Sequence, residues 1–295
     1  MGVGYGADPA AGRPGTSRRT GAGRQATGPG HDVAGLGHPD PGAVSEVAVR
    51  IAFVHAHPDD ESLWSGALTV HLVAAGHEVW LLTATRGERG EVVPGPLAEL
   101  AGTPELEQRR RLELAGAVAS LGFVGHAFLG DAPVGSGRRY RDSGMEWIHP
   151  GLAGPAADAE PDSLCESDLG EVVADLVAWL RHIQAELVIS YDDDGGYGHP
   201  DHVRLHHAGR EAAEQLGIGF AAVVHAPGEG VEWFELEHLL PRVEEALSHH
   251  ATQLTLGGDG TLTHSGGQRE EVVTSVGLKP QEMLVAPTRG SASGG

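Results

Sequence analysis

The sequence predicts an α/β fold, a Rossmann-like and mostly parallel sheet with helices on both faces. Short apolar runs alternate with segments of helical length, the pattern of βαβ units. The first run, Val49–Ala56 (VRIAFVHA), is apolar along nearly its whole length, as in a strand buried on both faces. Dense polar clusters follow the first and fourth strands, where an open parallel sheet presents its ligands.

Residues 1–45 are rich in Gly, Pro, Ala and Arg and carry no apolar periodicity. They cannot bury enough surface to offset ordering entropy, and are expected to form a disordered tail before a domain spanning 47–295. After the first strand a helix is expected at about 62–75, closed by Gly76, and a second strand at 79–84. Thr103-Pro104-Glu105 supplies an N-cap, a proline at the first helical position and an early acid, so a helix runs from there to Leu121, with Gly122 past its end. A short strand at 123–129 precedes an irregular stretch, 130–166. A helix at 168–182 and a strand at 187–191 lead into the glycine-rich loop 192–198. Then come a helix from Pro200 to Leu216, a strand at 220–225, a helix near 236–253, an irregular stretch over the cleft, and a last strand at 283–286.

The 295 residues carry a formal charge of −21. That balance excludes a duplex nucleic-acid binder, which needs a basic face to displace counterions. No run of 18 apolar residues is present, and the N-terminus has no apolar signal core. One cysteine, Cys165, fits a reducing compartment and removes any cysteine-based zinc site. A cytoplasmic protein acting on a small molecule is expected; oligomeric state is not legible.

The first cluster is His57-Pro58-Asp59-Asp60-Glu61 and the second His199-Pro200-Asp201-His202. One histidine and three acids within five residues repel unless a cation sits among them. His57 and Asp60, three apart at a turn entering a helix, can face one side, and His202 can arrive from the other strand end. A His₂Asp set with an open position is a catalytic zinc arrangement, and iron(II) fits the same donors. Asp59 is then left beside the metal water as general base. The competing reading makes the acids N-caps on a helix dipole and each His-Pro-Asp a capped turn. His55, two before His57, is assigned a supporting role. No G-x-G-x-x-G follows the first strand, which counts against a dinucleotide site. A dead scaffold that only binds a ligand would have no use for Asp59.

The words AHPDDE (56–61) and GGYGHPDH (195–202) resemble the LmbE-like, or GlcNAc-PI de-N-acetylase-like (PIG-L), zinc hydrolases. The resemblance extends from about residue 50 to 285. It implies a zinc-dependent amidohydrolase acting on an N-acetylglucosamine-containing substrate, with His57, Asp60 and His202 as ligands and Asp59 as base. It further implies His199 as a cation stabilising the oxyanion, Tyr197 as a mobile donor to the same oxygen, and Asp201 as a partner orienting a histidine. Within the family, HPDDESL (57–63), RDSGM (141–145) and HATQ (250–253) resemble the mycothiol-pathway deacetylases of N-acetylglucosaminyl-inositol, which makes Arg110 and Asp142 substrate-binding positions. RGERGE (86–91) is closer to the S-conjugate amidases of the same pathway. Only about 25 residues separate His225 from His250, where the mycothiol enzymes carry a longer segment.

Overall fold

The computed structural model describes residues 48–149 and 151–281. The expected tail 1–45 and the expected strand 283–286 lie outside them. The chain opens with β1 (Arg50–His55), α1 (Asp60–Leu63), α2 (Gly66–Ala74), β2 (Glu78–Thr83), α3 (Pro104–Leu121) and β3 (Gly125–Phe128). A hairpin of β4 (Met145–His149) and β5 (Leu152–Pro155) stands in the stretch expected to be irregular. Next come α4 (Leu169–Ile183), β6 (Leu187–Tyr191), the single turn α5 (Gly195–Gly198), α6 (Pro200–Leu216) and β7 (Gly219–Val224). The last part holds β8 (Glu232–Glu235), α7 (Leu240–Leu247), β9 (Leu254–Leu256), β10 (Thr261–His264), β11 (Arg269–Glu271) and β12 (Ser275–Pro280).

The main sheet has the order β3-β2-β1-β6-β7-β12-β8. Its first five strands pair in parallel, and β12 pairs antiparallel with both β7 and β8. Side chains alternate across it. Ile51 and Phe53 pack on one side with Leu68, Leu114, Leu121 and Val243 from α2, α3 and α7. Ala52 and Val54 pack on the other with Val172, Leu176, Leu205 and Ala212 from α4 and α6. Strand order reverses between β1 and β6. The crevice outside their carboxyl ends is therefore where this topology presents a ligand.

Three local expectations are corrected. The helix expected at 62–75 is two pieces, broken at Trp64–Ser65, where the Ser65 hydroxyl bonds the Glu61 carbonyl (3.3 Å) and His55 Nε2 (2.9 Å). The side chain competes with the helix for that carbonyl. Thr103 does not cap α3; its hydroxyl donates to the Leu100 carbonyl at 2.8 Å. The helix expected to reach Gln253 stops at Leu247, and residues 254–271 form a separate three-stranded sheet in place of irregular chain.

Candidate active site

The turn after β1 and the start of α6 bring His57, Asp60, His199, Asp201 and His202 together. Asp60, 4% exposed, lies at the centre. Its Oδ2 accepts the His57 amide (2.8 Å) and the Tyr191 hydroxyl (2.6 Å), so it is held rigidly. His57 Nδ1 stands 3.4 Å from Oδ2 and His202 Nε2 3.5 Å from Oδ1.

The other ring nitrogens are committed. His57 Nε2 lies 3.2 Å from the buried Asp201 carboxylate, which puts the proton of the neutral ring there and the lone pair on Nδ1. Burial lowers the pKa of this imidazole, but Asp201 and Asp60 outweigh it and raise it well above the ordinary value until a cation replaces the second proton. His202 Nδ1 donates to the Gly195 carbonyl at 3.2 Å, leaving a lone pair on Nε2, a buried nitrogen with no hydrogen-bond partner. Two imidazole lone pairs thus converge on one carboxylate, the donor set of a divalent transition metal. The orphaned His202 nitrogen is the local sign that a cation fits. His57, His199 and His202 also bring nitrogens within 4.8 Å of one another, as do ligand atoms of His57, Asp142 and Asp201.

Charge follows this geometry. Burial acts to raise the Asp60 carboxyl, but His202 and His57 outweigh it and hold the group well below the usual range. Burial, then the neighbouring Asp60, push Asp59 up to about 7. Asp59 sits at φ 127°, a backbone conformation rare for a residue with a side chain, and its carboxylate makes no capping bond to α1. The capping reading therefore fails for Asp59. It holds in part for His199, whose Nδ1 accepts the Asp201 amide at 3.2 Å at the start of α6. That bond puts the proton of the neutral ring on Nε2. Burial, His57 and His202 drive its pKa well below the ordinary value, which favours a neutral donor over the expected cation. Burial and the nearby carboxylates of Asp60 and Asp59 hold the Tyr197 phenol protonated. Its ring stacks on Trp64 at 6.2 Å and lies 5.5 Å from His202.

Asp142 reaches the site: its Oδ1 is 3.7 Å from His57 Nε2 and accepts the Gly144 amide at 2.8 Å, while Oδ2 accepts the Arg89 amide at 3.2 Å. Arg110 is 2% exposed. Its guanidinium donates to the carbonyls of Gly87 and Glu91 (the latter at 2.8 Å) and reaches the Thr252 hydroxyl at 3.4 Å. With its donors so engaged, it bears on the site through the 87–91 loop. His55 packs edge-on to Tyr191, a supporting position. Tyr191, Glu61, Ser143, His250 and Gln253 were not singled out as site residues from sequence. A hydroxyl-bearing aromatic closing a strand before an acidic loop was the signal available for Tyr191.

A family profile described as GlcNAc-PI de-N-acetylase matches residues 52–213. The chain belongs to that family. Curated relatives include a 1D-myo-inositol 2-acetamido-2-deoxy-alpha-D-glucopyranoside deacetylase of Kineococcus radiotolerans, 50% identical over 159 residues, covering 54% of this chain and 43% of that protein. The like-named deacetylase 1 of Catenulispora acidiphila is 41% identical over 197 residues, covering 66% of this chain and 56% of that protein. The chain spans about half the length of the curated relatives it matches. Among solved structures, a deacetylase–teicoplanin complex aligns with a TM-score of 0.54 at 18% identity, over 79% of this chain and 100% of that one. The N,N'-diacetylchitobiose deacetylase of Pyrococcus horikoshii aligns at 0.50 and 22%, over 70% and 71%. These likenesses show the fold. The family match takes in the whole cluster from His57 to His202, so the PIG-L fold and the polar crevice coincide. Among the described residues no helix is long and apolar enough to cross a membrane.

Proposed function

We propose that this PIG-L family chain is a metal-dependent N-deacetylase that hydrolyses the acetamide of an N-acetylglucosamine-containing small molecule, with N-acetylglucosaminyl-inositol as first candidate. The observation that carries the reading is the convergence of His57 Nδ1 and His202 Nε2 on Asp60, with Asp59 beside them free of any such role. The names of the curated relatives favour the substrate. His57, Asp60 and His202 would hold the metal, with zinc preferred for N/O donors and iron(II) able to replace it. Asp60 is chosen over His199 as third ligand because its anionic charge offsets the dication, whereas His199 is engaged at a helix start.

Held by this set, a divalent metal would supply Lewis acidity toward the acetyl carbonyl and a more acidic water. Asp59 takes the proton of the attacking water and delivers it to the departing amine. The Nε2–H of His199 and the Tyr197 hydroxyl are the donors for the developing oxyanion. Asp201 fixes the His57 ring. Asp142 meets the substrate hydroxyls, and Arg110 holds the loop that carries Arg89 against Asp142.

Amine release from N-acetylglucosaminyl-inositol, N-acetylglucosamine and a mycothiol S-conjugate, with and without added metal, tests the proposal. Metal-dependent turnover of the first, reduced more by Asp142→Ala than turnover of the second, is expected. Full activity of metal-free protein would overturn the metal reading. Faster release from the conjugate would move the chain to amidase chemistry.

A further inference from the structure

The peptide unit joining Pro58 to Asp59 is gripped at both ends by side chains that are not themselves proposed metal ligands. Its carbonyl accepts Gln253 Nε2 at 2.6 Å. Its N–H, that of Asp59, donates to Glu61 Oε2 at 3.0 Å. The two grips are joined: Glu61 Oε1 accepts His250 Nε2 at 2.7 Å, and His250 Nδ1 accepts the same Gln253 amide at 3.2 Å. Glu61 Oε1 also accepts the Ser62 hydroxyl at 2.6 Å. Glu61 and His250 are both fully buried, and Gln253 is 8% exposed.

A bond at the carbonyl and another at the N–H of one peptide fix the orientation of its plane. The next rotation along the chain is the φ of Asp59, which stands at 127°. A backbone in so sparsely populated a region is strained and persists only where its surroundings over-determine it. Two short, buried hydrogen bonds and the Glu61–His250 hydrogen bond behind them are such surroundings. Without them the plane relaxes and carries the Asp59 carboxylate away from its place, while Asp60 keeps its own ties to Tyr191 and the His57 amide.

We infer that Glu61, His250 and Gln253 form a clamp that holds the Pro58–Asp59 peptide plane and thereby aims the Asp59 carboxylate at the reacting water. Gln253 and His250 are positioning residues. They act from a segment about 190 residues downstream, beyond the part of the chain that the family profile matches. The inference rests on Asp59 being the base, so the test separates the two.

Gln253→Met is the perturbation of choice. It keeps the side chain's length and buried volume and removes the donor to the Pro58 carbonyl. Turnover is measured in the native and the Asp59→Asn backgrounds, with metal content and the exchange rate of the Asp59 amide hydrogen measured alongside. A misplacement of about 1 Å at a catalytic group costs on the order of 100-fold. The expected result is a 10- to 100-fold fall in kcat in the native background, with KM and metal content retained and faster exchange of the Asp59 amide. In the Asp59→Asn background the same substitution adds less than twofold, because the group it aims is already gone. Unchanged kcat would overturn the clamp. So would equal losses in both backgrounds, which mark a general packing role, or loss of metal, which marks action on the ligands. If Gln253→Met does not fold, Gln253→Asn shortens the reach to the Pro58 carbonyl while keeping the amide, and the same cycle is read. A kcat insensitive to Asp59→Asn itself would dispose of the base assignment instead, with the exchange rate still reporting on the clamp.

Discussion

Asp201→Asn tests the metal-site geometry where it is most constrained. The Asp201 carboxylate is fully buried. Its Oδ2 accepts the Ser143 amide at 3.0 Å and His57 Nε2 at 3.2 Å, and its Oδ1 accepts the Ser143 hydroxyl. An asparagine has one acceptor and one donor in their place. If its NH₂ faces His57, the ring proton must move to Nδ1 and the lone pair aimed past Asp60 disappears. If its oxygen faces His57, the NH₂ meets a Ser143 hydroxyl that already accepts the Cys165 amide at 3.0 Å, and the hydroxyl proton loses its acceptor. The second arrangement costs less, yet His57 still loses its anionic partner and with it basicity. Removing such a partner weakens metal binding by about 10- to 100-fold, or roughly 1.4–2.7 kcal/mol. The assay is competition with a chelator of known affinity at neutral pH, alongside circular dichroism to verify the fold. An unchanged metal affinity with an intact fold would refute the assignment of Nδ1 as the ligating nitrogen.

His202→Ala, which removes the orphaned nitrogen, should lower metal content from about one per chain toward zero by elemental analysis. Asp59→Asn should retain the metal and lose ~10²–10⁴-fold in kcat, the typical worth of a general base. Gly196→Ala places a methyl 1.8 Å from the Trp64 ring at φ 73°, so turnover should fall; the left-handed backbone alone costs about 1–2 kcal/mol, which a melting curve should show as a drop of a few degrees. Burial pushes the His126 imidazole down to about 4, against about 6.5 unfolded, so the unfolded chain binds the extra proton between those values. Its contribution is intact above pH 6.5, is lost as pH falls to 4, and changes no further below; His126→Gln should flatten stability against pH across that window.

The parallel half of the sheet was legible because its signals are local. Each strand is a short apolar run, and α3, α4 and α6 carry their own punctuation, with Gly122 and Gly217 in left-handed positions past two of them and Asp168 capping the third through its side chain. The antiparallel edge was not legible. Segments such as Glu232–Glu235 (EWFE) and Arg269–Glu271 (REE) are only three or four residues long, charged at both ends, and set by their partners rather than by propensity. The end of α7 was missed for a similar reason: His250 leaves the helical pattern to meet Glu61, a partner 189 residues away. In the site, the words at 57–61 and 199–202 pointed to a shared polar crevice because charge density and strand ends are visible in sequence. Which nitrogen of each histidine faces Asp60 was not visible, since Asp201 and the Gly195 carbonyl decide it.

Arg110 shows how the two halves of the chain share one pocket. Its planar fork suits several carbonyl acceptors at once, which a lysine could not match. It spends those donors on Gly87, Glu91 and Thr252, and a side chain at Gly90 would collide with it. The loop so held presents the Arg89 amide to Asp142 and the Glu91 carboxylate to the Ser265 hydroxyl of the small C-terminal sheet at 3.3 Å. That sheet is no loose appendage, because Leu262 and Val272 are buried in the main core. The residues proposed for metal and proton chemistry all lie within 52–213, the part the family profile matches. The segment from 225 to 272 lies outside it and supplies two of the three clamp residues, His250 and Gln253, and the far support of the 87–91 loop. Substitutions at Thr252 or Ser265 are therefore expected to change kcat/KM between acetamide substrates while leaving metal content, read by elemental analysis, unchanged.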